Sequence, residues 1–140
     1  MNIINIEERP WGYFWCIDGA MLENFITEFF PRLSLNINAC SAKILFINSH
    51  SKLSWQYHNR RKELWSVILG PVGIIHSPTD EQSELIIAQN KDFFIIDEKE
   101  RHRLIGLDCQ AIVAEIWIHT DENNLSDEND IVRLSDDYQR

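Results

Sequence analysis

The sequence predicts an all-β fold, a sandwich, barrel or jelly roll, preceded by one short helix. Two observations carry this. From residue 42 onward, short apolar runs rich in Ile, Val, Phe and Trp alternate with turn chemistry, with no long helix between them. Ahead of them, Leu22, Phe25, Ile26, Phe29 and Phe30 fall at i, i+3, i+4, i+7 and i+8, one apolar helical stripe stopped by Pro31. A third observation bounds the answer: 140 residues suit one domain, here residues 1–140.

Taken in order, Arg9-Pro10-Trp11-Gly12 reads as a turn, because Pro fixes φ and Gly permits unusual dihedrals. Tyr13–Ile17 reads as a short strand. The Phe-rich stripe of residues 22–30 follows, and it either packs on the core, meets a second copy or forms a lid. The predicted strands of the core, about residues 42–119, are Lys43–Ile47, Leu53–His58, Leu64–Leu69, Gly73–His76, Leu85–Ala88, Phe93–Ile96, His102–Ile105 and Ala111–Ile118. Residues 120–140 are polar and acidic, with Ile131, Val132, Leu134 and Tyr138 as apolar anchors by which the segment folds back on the barrel.

Composition excludes several functions. The net charge is −9, which disfavours nucleic acid and anionic membrane surfaces. A small anionic substrate stays open, because a pocket can be locally basic within an acidic protein. Cys16, Cys40 and Cys109 show no C-x-x-C spacing, so a disulfide framework or thiolate zinc site is not expected. The N-terminus lacks a basic, signal-like start, and no apolar run approaches the about 18 residues of a membrane span. The expectation is a soluble, cytoplasmic protein with reduced thiols.

The chemistry-bearing segment runs from Ser54 to Trp65. Gln56 and His58 are two apart on a predicted strand and share a face. Glu63 opens the next strand, and a hairpin would return it beside them. An imidazole, a carboxylate and an amide oxygen converging in a barrel suit a divalent metal, and His102, beyond the polar turn 97–101, can supply a fourth donor. Spacing alone leaves a second reading open, in which His58 and His102 are surface histidines and Glu63 pairs with a nearby Arg.

The pattern Q-x-H-x4-E-x6-G, Gln56 to Gly70, resembles the first cupin motif with Gln in place of its first His, and His102-Arg103 resembles the histidine of the second. The nearer resemblance is to the cupin domain of type II mannose-6-phosphate isomerases, often found C-terminal to a mannose-1-phosphate guanylyltransferase domain. Arg9-Pro10-Trp11-Gly12, Lys43, Leu53-Ser54, Arg61, Glu63, Trp65, Asp130-Ile131-Val132-Arg133, Asp136-Asp137-Tyr138 and Arg140 match its blocks in order. The departures are Ser49-His50 for a Pro-Gly, Asp97 and Lys99 for a Pro and a Gly, Asn59 and Arg60 for two histidines, and Gln139 for the final Gly. Residues 18–40 are longer than the family's connection, and the nucleotide loop of a guanylyltransferase is missing from these residues.

The resemblance implies a cupin double-stranded β-helix with Gln56, His58, Glu63 and His102 as ligands of zinc, or of Mn, Fe, Co or Ni. It implies isomerisation of mannose 6-phosphate to fructose 6-phosphate through an enediolate. Arg133, Arg140 and Lys43 are the expected catalytic cations, and Arg61, Arg103 and Ser54 the expected substrate contacts. Arg133 and Arg140 could instead pair with Asp130, Asp136 and Asp137. The base is open among His119, Lys43 and Glu115. Two other functions stand beside the isomerase: a non-catalytic cupin that binds a sugar phosphate or nucleotide sugar, and an isomerase or epimerase of another phosphosugar such as a heptose phosphate. A homodimer is a further expectation.

Overall fold

The computed structural model describes residues 2–138. The strands are β1 (Ile3–Arg9), β2 (Gly12–Ile17), β3 (Cys40–Ile47), β4 (Trp55–Tyr57), β5 (Arg61–Leu69), β6 (Val72–Ser77), β7 (Ile86–Ala88), β8 (Phe93–Ile96), β9 (Arg101–Ile105), β10 (Ala111–His119) and β11 (Val132–Ser135). The helix α1 spans Leu22–Phe29, between 3₁₀ turns at Gly19–Met21 and Ile37–Ala39. Two sheets form, in the orders β1-β2-β3-β10-β5-β8 and β11-β4-β9-β6-β7, with every pairing antiparallel. This is a jelly roll. Among the described residues no helix is long and apolar enough to cross a membrane.

Strand alternation divides the apolar residues into two clusters. Leu45 and Ile47 on β3, Trp65 and Val67 on β5, Ile74 on β6, Leu104 on β9 and Val113 on β10 pack between the sheets. Their strand neighbours Ile44, Phe46, Leu64, Ala114 and Ile116 point to the outer face of the larger sheet. That face is closed by Leu22, Phe25, Ile26 and Phe30. The Phe-rich stripe is therefore a second layer of this chain's own core, which resolves the three readings its sequence allowed. Phe25 is fully buried, with Phe29 and Phe30 rings 5.0 and 6.4 Å away.

β4 and β5 do not form the hairpin expected from sequence. β4 pairs with β9 and β11 in one sheet, and β5 with β10 and β8 in the other. The polar turn between them crosses the barrel mouth, so Glu63 faces His58 across the gap. β1 was not foreseen: its mostly exposed Ile and Asn residues form an edge strand without an apolar run.

Local backbone chemistry keeps two loops in shape where glycines were missed. His50 (φ 58°) and Lys99 (φ 65°) adopt left-handed conformations at the places where the resembled family carries Gly. Lys99 N–H then donates to the His58 carbonyl at 2.9 Å, tying the turn before β9 to the end of β4. Gly12, at φ 151°, lies so close to the Phe46 carbonyl that a Cβ would stand 1.9 Å from its oxygen, so the Arg9–Gly12 turn accepts no side chain there.

Because α1 covers the outer face only, Phe25→Ala should cost about 3–5 kcal/mol, the usual range for a truncated buried Phe. Chemical denaturation reads the loss. A cost under about 1 kcal/mol would show that the helix layer is not part of the folded core.

Candidate metal centre

The mouth of the barrel is polar because the inward positions of its strands change character along their length. On β5 the inward row is Glu63, Trp65, Val67; on β9 it is His102, Leu104; on β10 it is Val113, Glu115, Trp117. The apolar ends form the core and the charged ends meet at one rim. His58 follows β4 directly and completes the rim from the smaller sheet. His58, Glu63 and His102 are 2, 3 and 1 % exposed.

Their geometry converges. His58 Nε2 and His102 Nε2 are 3.1 Å apart. Glu63 straddles them, with Oε2 3.4 Å from His58 Nε2 and Oε1 3.3 Å from His102 Nε2. The other ring nitrogens face carbonyls: His58 Nδ1 donates to Asp130 O at 2.7 Å and His102 Nδ1 to Glu100 O at 2.8 Å. In a neutral ring that leaves Nε2 a bare acceptor. Burial, with His102 and Arg61 nearby, pushes the His58 pKa down to about 3 against the pull of Glu63 and the Asp130 carbonyl, so its ring is neutral. Burial pushes the Glu63 carboxyl up, but His58, Arg61 and His102 together hold it well below its ordinary 4.5. The His58 Nε2 lone pair and the Glu63 carboxylate thus face His102 Nε2 and one another.

That donor set fits a divalent cation. Two imidazole nitrogens and a carboxylate are borderline-to-hard ligands, suited to zinc and to other first-row divalent ions. The spacings of 3.1–3.4 Å match the edges of a coordination shell whose bonds are about 2.0–2.1 Å. Among the described residues this is the group of His, Cys, Asp and Glu that gathers closely enough to hold an ion. Arg61 supplies a fixed positive charge at its edge, with Nε 2.9 Å from Glu63 Oε2 and Nη2 3.1 Å from His58 Nε2.

The other expected residues distribute unevenly. Gln56 lies directly across from His102 in the β4–β9 register and lines the same cavity as His58 and Glu63; its Oε1 accepts from Ser54 Oγ at 3.0 Å. Arg133 is the β11 partner of Gln56 and also lines the cavity. Lys43 lines it too, its ammonium 3.9 Å from the Trp117 ring and 4.3 Å from that of Phe14, paired with Glu128. Arg61 is buried and stacked 3.5 Å from the Trp117 ring, and also bonds Ser126 Oγ and the Asp127 carbonyl. Arg103 is not in the lining; its Nε and Nη2 both donate to the Leu53 carbonyl, at 3.0 and 2.9 Å. Arg140 lies outside the described residues.

Of the three base candidates, His119 points away, bonded to Ser41 Oγ at 2.9 Å and to the Ser126 N–H at 3.1 Å. Glu115 lines the cavity, its two oxygens accepting the indole N–H groups of Trp65 and Trp117, each at 2.9 Å. Burial, then the charge of Glu63, raises its pKa from 4.5 to about 7. Sequence reasoning missed Arg9, Ser126 and Glu128 as parts of the rim, and it placed Asp130 in the matched terminal block or as a partner for Arg133 and Arg140, not beside His58. Asp130 binds the Asn59 and Arg60 N–H groups and Ser126. The Ser126, Glu128 and Asp130 contacts depend on residues 121–130 returning to the mouth, which no local pattern reports.

A raised carboxyl pKa has a definite sign in stability. The folded state keeps the Glu115 proton that the unfolded state loses above about 4.3, so this contribution is present below that pH and fades as pH rises to about 7. In metal-free protein the ¹³C carboxyl signal of Glu115 should titrate near pH 7, and Zn²⁺ should move the midpoint down by offsetting the Glu63 charge. A midpoint below 5 without metal would overturn this.

No protein-family model matches the chain, and no curated protein matches its sequence. Solved structures do match in fold. An oxalate decarboxylase mutant from Bacillus subtilis aligns at TM-score 0.67 and 12% identity, over 93% of this chain and 30% of that one. The capsular polysaccharide assembling protein CapF from Staphylococcus aureus aligns at TM-score 0.65 and 13% identity, over 96% and 33%. An oxalate oxidase in complex with glycolate aligns at TM-score 0.57 and 13% identity, over 71% and 48%. The chain therefore spans about a third to a half of the chains it matches. At these identities the likeness concerns the fold alone, and that fold is the cupin jelly roll.

Proposed function

We propose that the chain is a metal-dependent cupin enzyme acting on a small phosphosugar, as an aldose–ketose isomerase that converts mannose 6-phosphate to fructose 6-phosphate. One observation carries the reading: His58 Nε2, His102 Nε2 and the Glu63 carboxylate converge, 3.1–3.4 Å apart, beside a cavity that Lys43 and Arg133 line. His58, Glu63 and His102 would hold the ion, with Gln56 from the adjacent register position as the fourth ligand. A divalent ion there supplies Lewis-acid polarisation of a sugar carbonyl and its neighbouring hydroxyl.

The chain's own residues supply the rest. Arg133, with a guanidinium fork that matches phosphate oxygens, holds the anionic end of the sugar. Lys43 and Arg61 set positive charge beside the enediolate. Glu115, which lines the cavity, is the base in this reading. Its carboxylate takes the C2 proton and returns it at C1, while the oxygen on C1 gains a proton and that on C2 loses one. Trp65 and Trp117 hold the carboxyl in place through both oxygens. CapF, a protein of capsular polysaccharide assembly, is a case of this fold in carbohydrate work. A non-catalytic sugar-phosphate sensor would share the ligands and the cationic wall, and turnover separates the two. The same machinery would also serve another phosphosugar, a heptose phosphate for example.

The test is elemental analysis of purified protein, then a coupled assay across hexose and heptose phosphates. One equivalent of a divalent metal and turnover of mannose 6-phosphate are expected. Glu63→Gln and His102→Ala should remove metal and activity together. Arg133→Ala should raise KM at least about tenfold, because a charge-assisted phosphate contact is worth about 1.5–3 kcal/mol. Metal without turnover on any phosphosugar would replace catalysis with binding; no metal from metal-replete cultures would end the proposal.

A further inference from the structure

Asp130 has no part in the chemistry above, yet it is 3 % exposed and bonded on every side. Its carboxylate accepts from the Asn59 N–H and the Arg60 N–H, each at 2.9 Å, and from Ser126 Oγ at 2.6 Å. Asn59 and Arg60 are the two residues that follow His58. Its own backbone carbonyl, meanwhile, accepts the His58 Nδ1–H at 2.7 Å. One residue therefore grips the chain just beyond His58 with its side chain and the imidazole of His58 with its main chain. The contacts close a ring that runs from the His58 backbone through the turn to Asp130 and back to the His58 side chain.

This arrangement does more than cap a turn. A cap needs the two N–H groups and nothing further. Here the same carboxylate fixes where its own carbonyl stands, and that carbonyl decides which nitrogen of His58 carries the proton. With the proton on Nδ1, the Nε2 lone pair faces His102 and Glu63; on the other tautomer an N–H would point there instead. Ser126 extends the clamp, since its Oγ accepts from Arg61 Nη1 at 2.9 Å while donating to Asp130. Burial pushes the Asp130 carboxyl up, but Ser126, the two N–H groups and the Arg60 charge outweigh it and keep it ionised.

We infer that Asp130 is a positioning residue for the cation centre, locking His58 in its Nδ1–H tautomer so that the Nε2 lone pair, which also meets Arg61 Nη2 at 3.1 Å, is turned toward Glu63 and His102 for ligation. The inference rests on the metal reading above, but its first measurement does not need the metal. In ¹⁵N NMR of the metal-free full chain, His58 should be the Nδ1–H tautomer. In Asp130→Asn, whose amide nitrogen faces N–H or O–H donors in place of an acceptor oxygen, and in Asp130→Ala, it should become a mixture. Titration with Co²⁺ should then give binding about 10–100-fold weaker than wild type, the range typical for lost partners of metal-bound His, and a visible spectrum of changed shape. Ser126→Ala, which deletes one of the three contacts, should fall between. Asp121→Asn, on the same loop, should change neither readout.

If Asp130→Ala does not fold, the Asn and Ser126→Ala variants decide the question. An unchanged tautomer with Co²⁺ binding within twofold of wild type in the folded variants would overturn the inference. Wild-type protein that binds no Co²⁺ would overturn the metal reading instead, and the tautomer would still report on Asp130.

Discussion

Two imidazoles lie with their Nε2 atoms 3.1 Å apart, and a carboxylate closes the third side. Gathering three buried polar groups at one point risks about 1–3 kcal/mol for each atom left unpaired, and among the described residues none is left so. The surrounding structure holds them there nonetheless. The Asp130 carbonyl turns one ring, the Glu100 carbonyl turns the other, and Arg61 steadies Glu63. Arg61 is the positive charge the chain itself sets against this group.

The same constraint explains the rest of the rim. Ionised groups in a barrel mouth need partners, and those present are paired in a nested order: Arg61 with Glu63, Lys43 with Glu128, Arg60 with Asp130. Aromatic faces do part of this work, because Trp117 lies beside both Lys43 and Arg61. Residues 121–130 supply most of the remaining partners. An acidic, polar stretch that passes for a tail by composition is thus a wall of the site. Its hydrogen bonds run to the β4–β5 turn and to His119, which joins the mouth to the end of β10.

Legibility followed the range of the interactions. The helix stripe at Leu22–Phe30 and the strand runs from Lys43 to Ile118 are local periodicities, so they could be read directly. The inward row of β5 was equally readable, since alternation places Glu63 with Trp65 and Val67 on one face. The convergence of His58, Glu63 and His102 was suggested by spacing and sharpened by the cupin-like motif, but its cause was misread. A hairpin was expected, whereas β4 and β5 belong to opposite sheets and the residues meet across the barrel. Hairpin and crossover differ only in what the distant strands β9 and β10 do, and no local pattern reports that. The missing loop glycines misled in the opposite sense, because His50 and Lys99 take up the left-handed backbone anyway.

By itself, the sequence determined the fold class, the helix stripe and the strand runs of the core, and the residue types available for chemistry. These are consequences of side-chain periodicity and composition, which need no knowledge of neighbours. Tertiary structure alone decided that α1 seals the outside of the larger sheet, that Arg61 is locked against Glu63 while Arg103 holds a backbone carbonyl, and that Asp130 reaches His58 across 72 residues of chain. Those outcomes depend on hydrogen bonds and packing between segments far apart in sequence. Such contacts exist only once the chain has closed on itself.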